Sequence, residues 1–115
     1  LLGVTYRQDV GDTRFSPSEI FFKSTLLEEA KIRAYDPLVK DWDEVDISME
    51  SNLPNSTEFD AIVFAVPHKE FNQLDLTKWV SGNKVLLFDA NNVLTRDQII
   101  MIKENNLNYM SIGRG

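Results

Sequence analysis

The run Leu1-Leu2-Gly3-Val4-Thr5-Tyr6 passes through Arg7-Gln8-Asp9-Val10-Gly11-Asp12-Thr13-Arg14-Phe15 into Ser16-Pro17-Ser18-Glu19. An apolar run of strand length, a polar loop and a helix start, in that order, form a βα unit. Ser16 can cap, Pro17 suits the first helical position because its φ is preset and it lacks a donor, and Glu19 completes Ser-x-x-Glu. The helix is expected from Pro17 to about Glu29. Ile20, Phe22, Leu26, Leu27 and Ala30 share one broad arc on a helical wheel, and Phe21 points away, free to meet a neighbouring domain or subunit.

Working outward, further apolar runs occur at Lys31 to Tyr35, Asp60 to Val66, Lys84 to Phe88 and Leu107 to Ile112. They are continuous rather than alternating, which suits strands buried on both faces of a parallel sheet. Thr95-x-x-Gln98 is a second capping signature, and Asn105-Asn106 is a natural stop because Asn tolerates the left-handed conformation. His68 to Val80 suits one or two short helices closed by a Ser81-Gly82-Asn83 turn. Pro37 to Glu58 is acidic and polar with Trp42 as its main apolar anchor. A short helix around Asp41 to Val45 and a short strand near Asp46 to Met49 are expected there.

Strands alternating with helices predict an α/β fold: a Rossmann-like, open, doubly wound, mostly parallel sheet of about five strands, with helices on both faces in a three-layer α/β/α arrangement. Residues 1–115 are read as a single domain, 43% apolar and too short for two. Ligands of such sheets lie beyond the carboxyl ends of the strands. That nominates Tyr6 to Ser16, Asp36-Pro37, Pro67-His68 and Asp89 to Asn92. A phosphoacceptor receiver domain of similar topology needs an aspartate at the end of the third strand, where this chain has Val66-Pro67-His68.

Twelve Lys and Arg against eighteen Asp and Glu give a formal net charge of −6. Such a charge repels nucleic acid and anionic lipid surfaces, so neither is an expected partner. The absence of cysteine excludes a disulfide framework, a thiolate metal site and a cysteine nucleophile within these residues. Cytoplasmic localisation is the simplest reading. No apolar run approaches the roughly 20 residues that span a bilayer. Because Leu1-Leu2-Gly3 enters an apolar run without a starting Met, the chain is expected to be a piece of a longer protein.

A dinucleotide site would need Gly-x-Gly-x-x-Gly after the first strand, whereas this loop carries Gly11 alone. No cofactor-binding, catalytic or metal-ligating set is assigned to the chain, and His68 is its only histidine. Arg7 and Arg14 offer planar forks suited to phosphate next to a helix N-terminus. The other reading is that both pair with Asp9, Asp12 or other carboxylates to shape the loop.

The stretch Gly3 to Pro17 resembles the opening of the C-terminal domain in the UDP-glucose/GDP-mannose dehydrogenase family, which reads Gly-x-x-aromatic-Lys and then Asp-x-Arg-x-Ser-Pro. The pieces Ala34-Tyr35-Asp36-Pro37, His68-Lys69-Glu70-Phe71, Asp89-Ala90-Asn91-Asn92 and Tyr109-Met110-Ser111-Ile112-Gly113-Arg114 follow in the family's order. The resemblance implies the nucleotide-sugar-binding domain of an NAD-dependent enzyme that oxidises the sugar C6 alcohol of a UDP- or GDP-sugar to a carboxylate. It implies that NAD is bound by an N-terminal domain of the same polypeptide, that the catalytic cysteine precedes this domain, and that the isolated piece is inactive. Family members are often dimers or larger, which makes a homodimer one expected assembly.

By position in the motif, the substrate-binding residues implied are Tyr6 beside the nucleotide, Arg7 where the family has a lysine near the diphosphate, and Arg14. Asp12, Ser16 and Pro17 match as well, though capping and loop pairing explain them. The family's Asp-Gly-Arg-Asn is altered here to Asp89-Ala90-Asn91-Asn92, leaving Asn91 able to hydrogen-bond a base edge. His68, where many members have histidine or tryptophan, reads as a structural residue at the cleft edge or as a substrate or interdomain contact. Two alternatives stand beside this function: an interdomain packing or dimerisation module with weakened nucleotide binding, and a free-standing nucleotide-binding regulatory domain.

Overall fold

The computed structural model describes residues 1–82 and 84–112. Its elements run α1 (Pro17–Leu27), a single 3-10 turn (Ser56–Glu58), β1 (Ala61–Phe64), α2 (Lys69–Asn72), α3 (Leu76–Val80), β2 (Leu86–Asp89), α4 (Arg96–Glu104) and β3 (Tyr109–Ser111). The strands form a parallel sheet in the order β1-β2-β3, with Ala61 opposite Leu86 and Leu87 opposite Tyr109. The chain is thus α/β with a parallel sheet.

Of the five strands expected, three form ladders among the described residues, and the first two segments are reduced to single parallel bridges, Leu2 to Tyr35 and Leu2 to Phe64. The bridges keep their hydrogen bonds: Leu2 N donates to Val63 O at 2.8 Å, Ala65 N to Leu2 O at 2.9 Å and Gly3 N to Tyr35 O at 2.9 Å. The ladder stops because Gly3 leaves the extended region at φ +98, and a Cβ there would lie 2.7 Å from Val66 Cβ. Only glycine meets both conditions without strain. Beyond it, Val4 N turns to the Asp36 carboxylate at 2.8 Å instead of to a neighbouring strand. The first segment nevertheless lies between the second and β1, so the direction of winding switches beside it, which is where such sheets open a crevice.

α1 starts as read, with Ser16 accepting from Ser18 N at 3.2 Å and Pro17 in the first turn. It ends at Leu27, short of the expected Glu29. Glu29 adopts φ 62 while its N–H bonds Leu26 O and Ala30 N bonds Thr25 O, a Schellman ending built without glycine. The expected apolar arc is overturned: Phe22 is buried, but Ile20 is 70% and Leu27 84% exposed. The helix docks instead through Ser18, whose hydroxyl donates to Gly3 O at 2.9 Å, and Phe22, whose ring meets Trp42 edge-on at 5.3 Å.

The remaining helices follow the sequence closely. Thr95 and Gln98 form a reciprocal capping box on α4, and Asn106 exits at φ 53. α2 and α3 fill His68 to Val80, and Gly82 turns at φ +75, with Asn83 of that expected turn outside the described residues. The helix expected around Asp41 to Val45 is a turn, closed by Val45 N to Trp42 O at 3.2 Å, and the expected strand near Asp46 to Met49 is one antiparallel bridge, Asp41 to Ser48. Burying Trp42 fixes that segment, so tertiary packing rather than local propensity decides its shape.

The core falls into two clusters. Ile62, Phe64 and Leu87 of the sheet gather Phe71, Leu76, Val80 and Ile102 of α2, α3 and α4. Val4 and Ala34 gather Phe22 of α1 and Trp42. No helix of the described residues is long and apolar enough to cross a membrane.

Candidate functional site

A cleft of about 240 Å³ runs along the sheet face at Leu1 and Val63 to the carboxyl ends of the first segment, β1 and β2. Tyr6, Pro17, Phe21, Val66, Ala90 and Asn91 contribute to its walls. Tyr6 is more than half exposed. The cleft therefore joins two of the residues singled out from sequence, one following the first segment and one following β2. Phe21, expected to face outward, takes part in the wall.

The loop from Tyr6 to Phe15 is built from its own polar groups. Tyr6 N donates to Asp12 O at 2.9 Å and Thr5 Oγ1 to Arg7 O at 2.7 Å. Asp12 accepts Arg14 Nε at 3.0 Å and Arg14 Nη2 at 2.8 Å, a two-pronged pair. Through that hydrogen bond Arg14 holds the Asp12 carboxyl down to about 2, and the Arg14 guanidinium is raised in turn. An incoming anion must compete with Asp12 for Arg14. The Arg7 guanidinium is exposed and is engaged by nothing among the described residues. Neither arginine lines the cleft itself.

Asn91 Nδ2 donates to Ala65 O at 3.1 Å, tying the β2 loop to the end of β1. Asp89, fully buried, turns that loop by accepting Asn91 N at 3.2 Å, Val93 N at 2.8 Å and Leu94 N at 2.9 Å. Its carboxylate is thereby a structural cap.

His68 is not at the cleft edge but 1% exposed, with Nε2 2.8 Å from Asp36 Oδ2 and Nδ1 accepting from Asp9 N at 2.9 Å. Asp36, also buried, accepts Val4 N at 2.8 Å and Leu38 N at 2.9 Å. The organising role of Asp36 was not read from sequence. The end-of-strand rule marked Asp36-Pro37 as a ligand location, not as the partner of His68 and Val4. Of the last expected piece, Gly113 and Arg114 lie outside the described residues.

Residues 1–96 match the family model described as "UDP-glucose/GDP-mannose dehydrogenase family, UDP binding domain". Among curated relatives, a UDP-N-acetyl-D-mannosamine dehydrogenase of Methanococcus aeolicus is 28% identical over 95% of this chain and 22% of its own length. A UDP-glucose 6-dehydrogenase of Rickettsia bellii is 27% identical over 98% of this chain and 27% of its own length. The solved UDP-D-ManNAc dehydrogenase of Pyrococcus horikoshii superposes with a TM-score of 0.73 at 26% identity, covering 99% of this chain and 25% of that one. The chain thus spans about a quarter of the length of each.

Proposed function

The chain belongs to the UDP-glucose/GDP-mannose dehydrogenase family through its UDP binding domain, and on that premise we propose that it forms the nucleotide end of the substrate site in an NAD-dependent nucleotide-sugar 6-dehydrogenase. The single observation that carries this reading is the cleft that reaches the strand ends, which brings Tyr6 and Asn91 together beside the N-terminus of α1. A uridine nucleotide is proposed over guanosine because the relatives are named for UDP-sugars.

In this reading Tyr6 packs on the nucleoside, Asn91 hydrogen-bonds a base edge and Arg7 reaches the diphosphate. Arg14 serves first to hold the loop through Asp12. The domain, a single unit, contributes positioning: binding energy spent on the nucleotide holds the sugar C6 at a reacting centre elsewhere, in place of an entropic cost paid at the moment of reaction. Oxidation of that alcohol to the carboxylate belongs to the whole polypeptide, which we place in the cytoplasm. NAD is assigned to another part of the protein. The glycine-rich turn that would have to cradle its pyrophosphate is not in this chain, whose loop after the first segment carries Gly11 alone.

Parallel calorimetric titration of the chain with UDP and GDP, repeated on Arg7→Ala, tests the proposal. UDP should bind more tightly than GDP and lose about tenfold in affinity in the variant, the worth of one charge-assisted contact. Equal binding of both, or no effect of the variant, sinks this reading.

One observation favours the second reading, an interdomain packing module. Phe15 at 90% exposure, with Ile20 and Leu27, leaves apolar groups on and beside the outer face of α1, the kind of surface that contacts between domains cover. The absence of UDP binding in the unaltered chain would mean a packing element, or a site that forms only with the N-terminal domain present.

A further inference from the structure

A backbone amide can only donate. The 2.9 Å contact from Asp9 N therefore fixes Nδ1 of His68 as an acceptor without a proton. Nε2, 2.8 Å from Asp36 Oδ2, carries the ring's hydrogen and gives it to that carboxylate. Thr5 Oγ1 agrees with this assignment: its own hydrogen goes to Arg7 O, so at 3.2 Å from Nε2 it is an acceptor too. The ring is neutral, and its tautomer is set by its neighbours.

Asp9 is the residue that needs this support. It sits at φ 57, a conformation that costs a non-glycine residue energy unless the surroundings impose it. Those surroundings are two consecutive residues ahead of and opening α2: His68 takes the Asp9 amide, and Lys69 N donates to Asp9 Oδ1 at 2.9 Å. The Tyr6-to-Phe15 loop is thereby pinned at its midpoint.

We infer that His68 is the positioning residue of the nucleotide-binding loop and that its neutral Nε2–H tautomer is the binding-competent form. The binding half of this inference rests on the nucleotide reading above, while the positioning half rests on the hydrogen bonds alone. A proton on Nδ1 turns the acceptor into a donor facing the Asp9 N–H, and that contact must break. The charged groups around the ring are Asp36 at Nε2 and the Asp9 carboxylate, 3.8 Å from Nδ1. On α2, Lys69 is exposed and Glu70 accepts from the Tyr35 hydroxyl at 2.7 Å. A protonated Nδ1 would face the Asp9 N–H at 2.9 Å, with the Asp9 carboxylate oxygen farther off at 3.8 Å.

The test combines nitrogen NMR of the ring, hydrogen exchange at the Asp9 amide, and UDP titration. The chain is compared with His68→Asn, which keeps an acceptor near the Nδ1 position, and His68→Gln, which reaches toward the Nε2 position instead. Nδ1 should resonate as an unprotonated ring nitrogen and the Asp9 amide should be protected. His68→Gln should remove that protection and weaken UDP by about tenfold, and His68→Asn should stay within about threefold. A protonated Nδ1, or an unprotected Asp9 amide in the unaltered chain, overturns the inference, and neither measurement needs a variant that folds. If the chain binds no UDP, the nucleotide reading fails while the ring and exchange data still decide the positioning role.

Discussion

Leu2 and Phe64 lie side by side in one sheet, yet Phe64 belongs to a four-residue ladder and Leu2 to single bridges. The contrast extends to the regions around them. From Ala61 onward, strands pair in register, and the helices bury apolar side chains against Ile62, Phe64 and Leu87. In residues 1–50 much of the holding is done by polar side chains gripping backbone: Asp36 on Val4 and Leu38, Ser18 on Gly3, His68 on Asp9. The first arrangement is a scaffold. The second leaves a loop whose shape depends on a few directed bonds, beside the cleft where a ligand is proposed to sit.

Breaking the apolar half should cost most. Phe64→Ala removes a fully buried ring that meets Phe71 and Trp79 edge-on and should destabilise by about 4 kcal/mol in urea unfolding. A loss below about 1 kcal/mol means that the ladder, not the core, carries this half. Gly3→Ala attacks the junction between the halves, combining a left-handed φ with a Cβ 2.7 Å from Val66. It should cost about 2 kcal/mol and shift the amide signals of Val4 and Val66, whereas a neutral outcome contradicts the stated cause of the broken ladder. Thr95→Ala, which deletes one arm of the α4 capping box, should cost about 1 kcal/mol.

The smallest effect separates loop shape from fold. The Asp12 carboxyl, held down to about 2 by the Arg14 hydrogen bond, gives stability that is present above its ordinary value of 3.8 and lost as pH falls through about 2. In Arg14→Ala the Asp12 titration followed by NMR should move back up toward 3.8, with little change in unfolding because both groups are exposed. An unmoved midpoint would mean that the pair does not hold the loop.

The same contrast explains what the sequence made legible. α4 is readable because its determinants are local: Thr95 and Gln98 three apart, and Asn106 at the exit. The start of α1 is readable for the same reason, but its buried face is not, since docking through Ser18 and Phe22 overrides the periodicity that favoured Ile20 and Leu27. The first two segments are correctly placed yet mistaken for full strands, because the φ of Gly3 is dictated by Val66, sixty-three positions away. Residues 41–49 took their shape from burying Trp42, which no local pattern announced. At the site, the end-of-strand rule located the loops of Tyr6 and Asn91. It could not foresee that Asp36, thirty-two residues before His68, sets the tautomer that holds Asp9.

Amide chemical-shift changes would map where UDP binds on the chain. With UDP in the cleft, changes concentrate at Tyr6, Arg7, Val66, Ala90 and Asn91, and Asp60, Asn105 and Asn108 at the opposite end of the sheet stay unmoved. Changes centred on that opposite end, or none at saturating UDP, would contradict it.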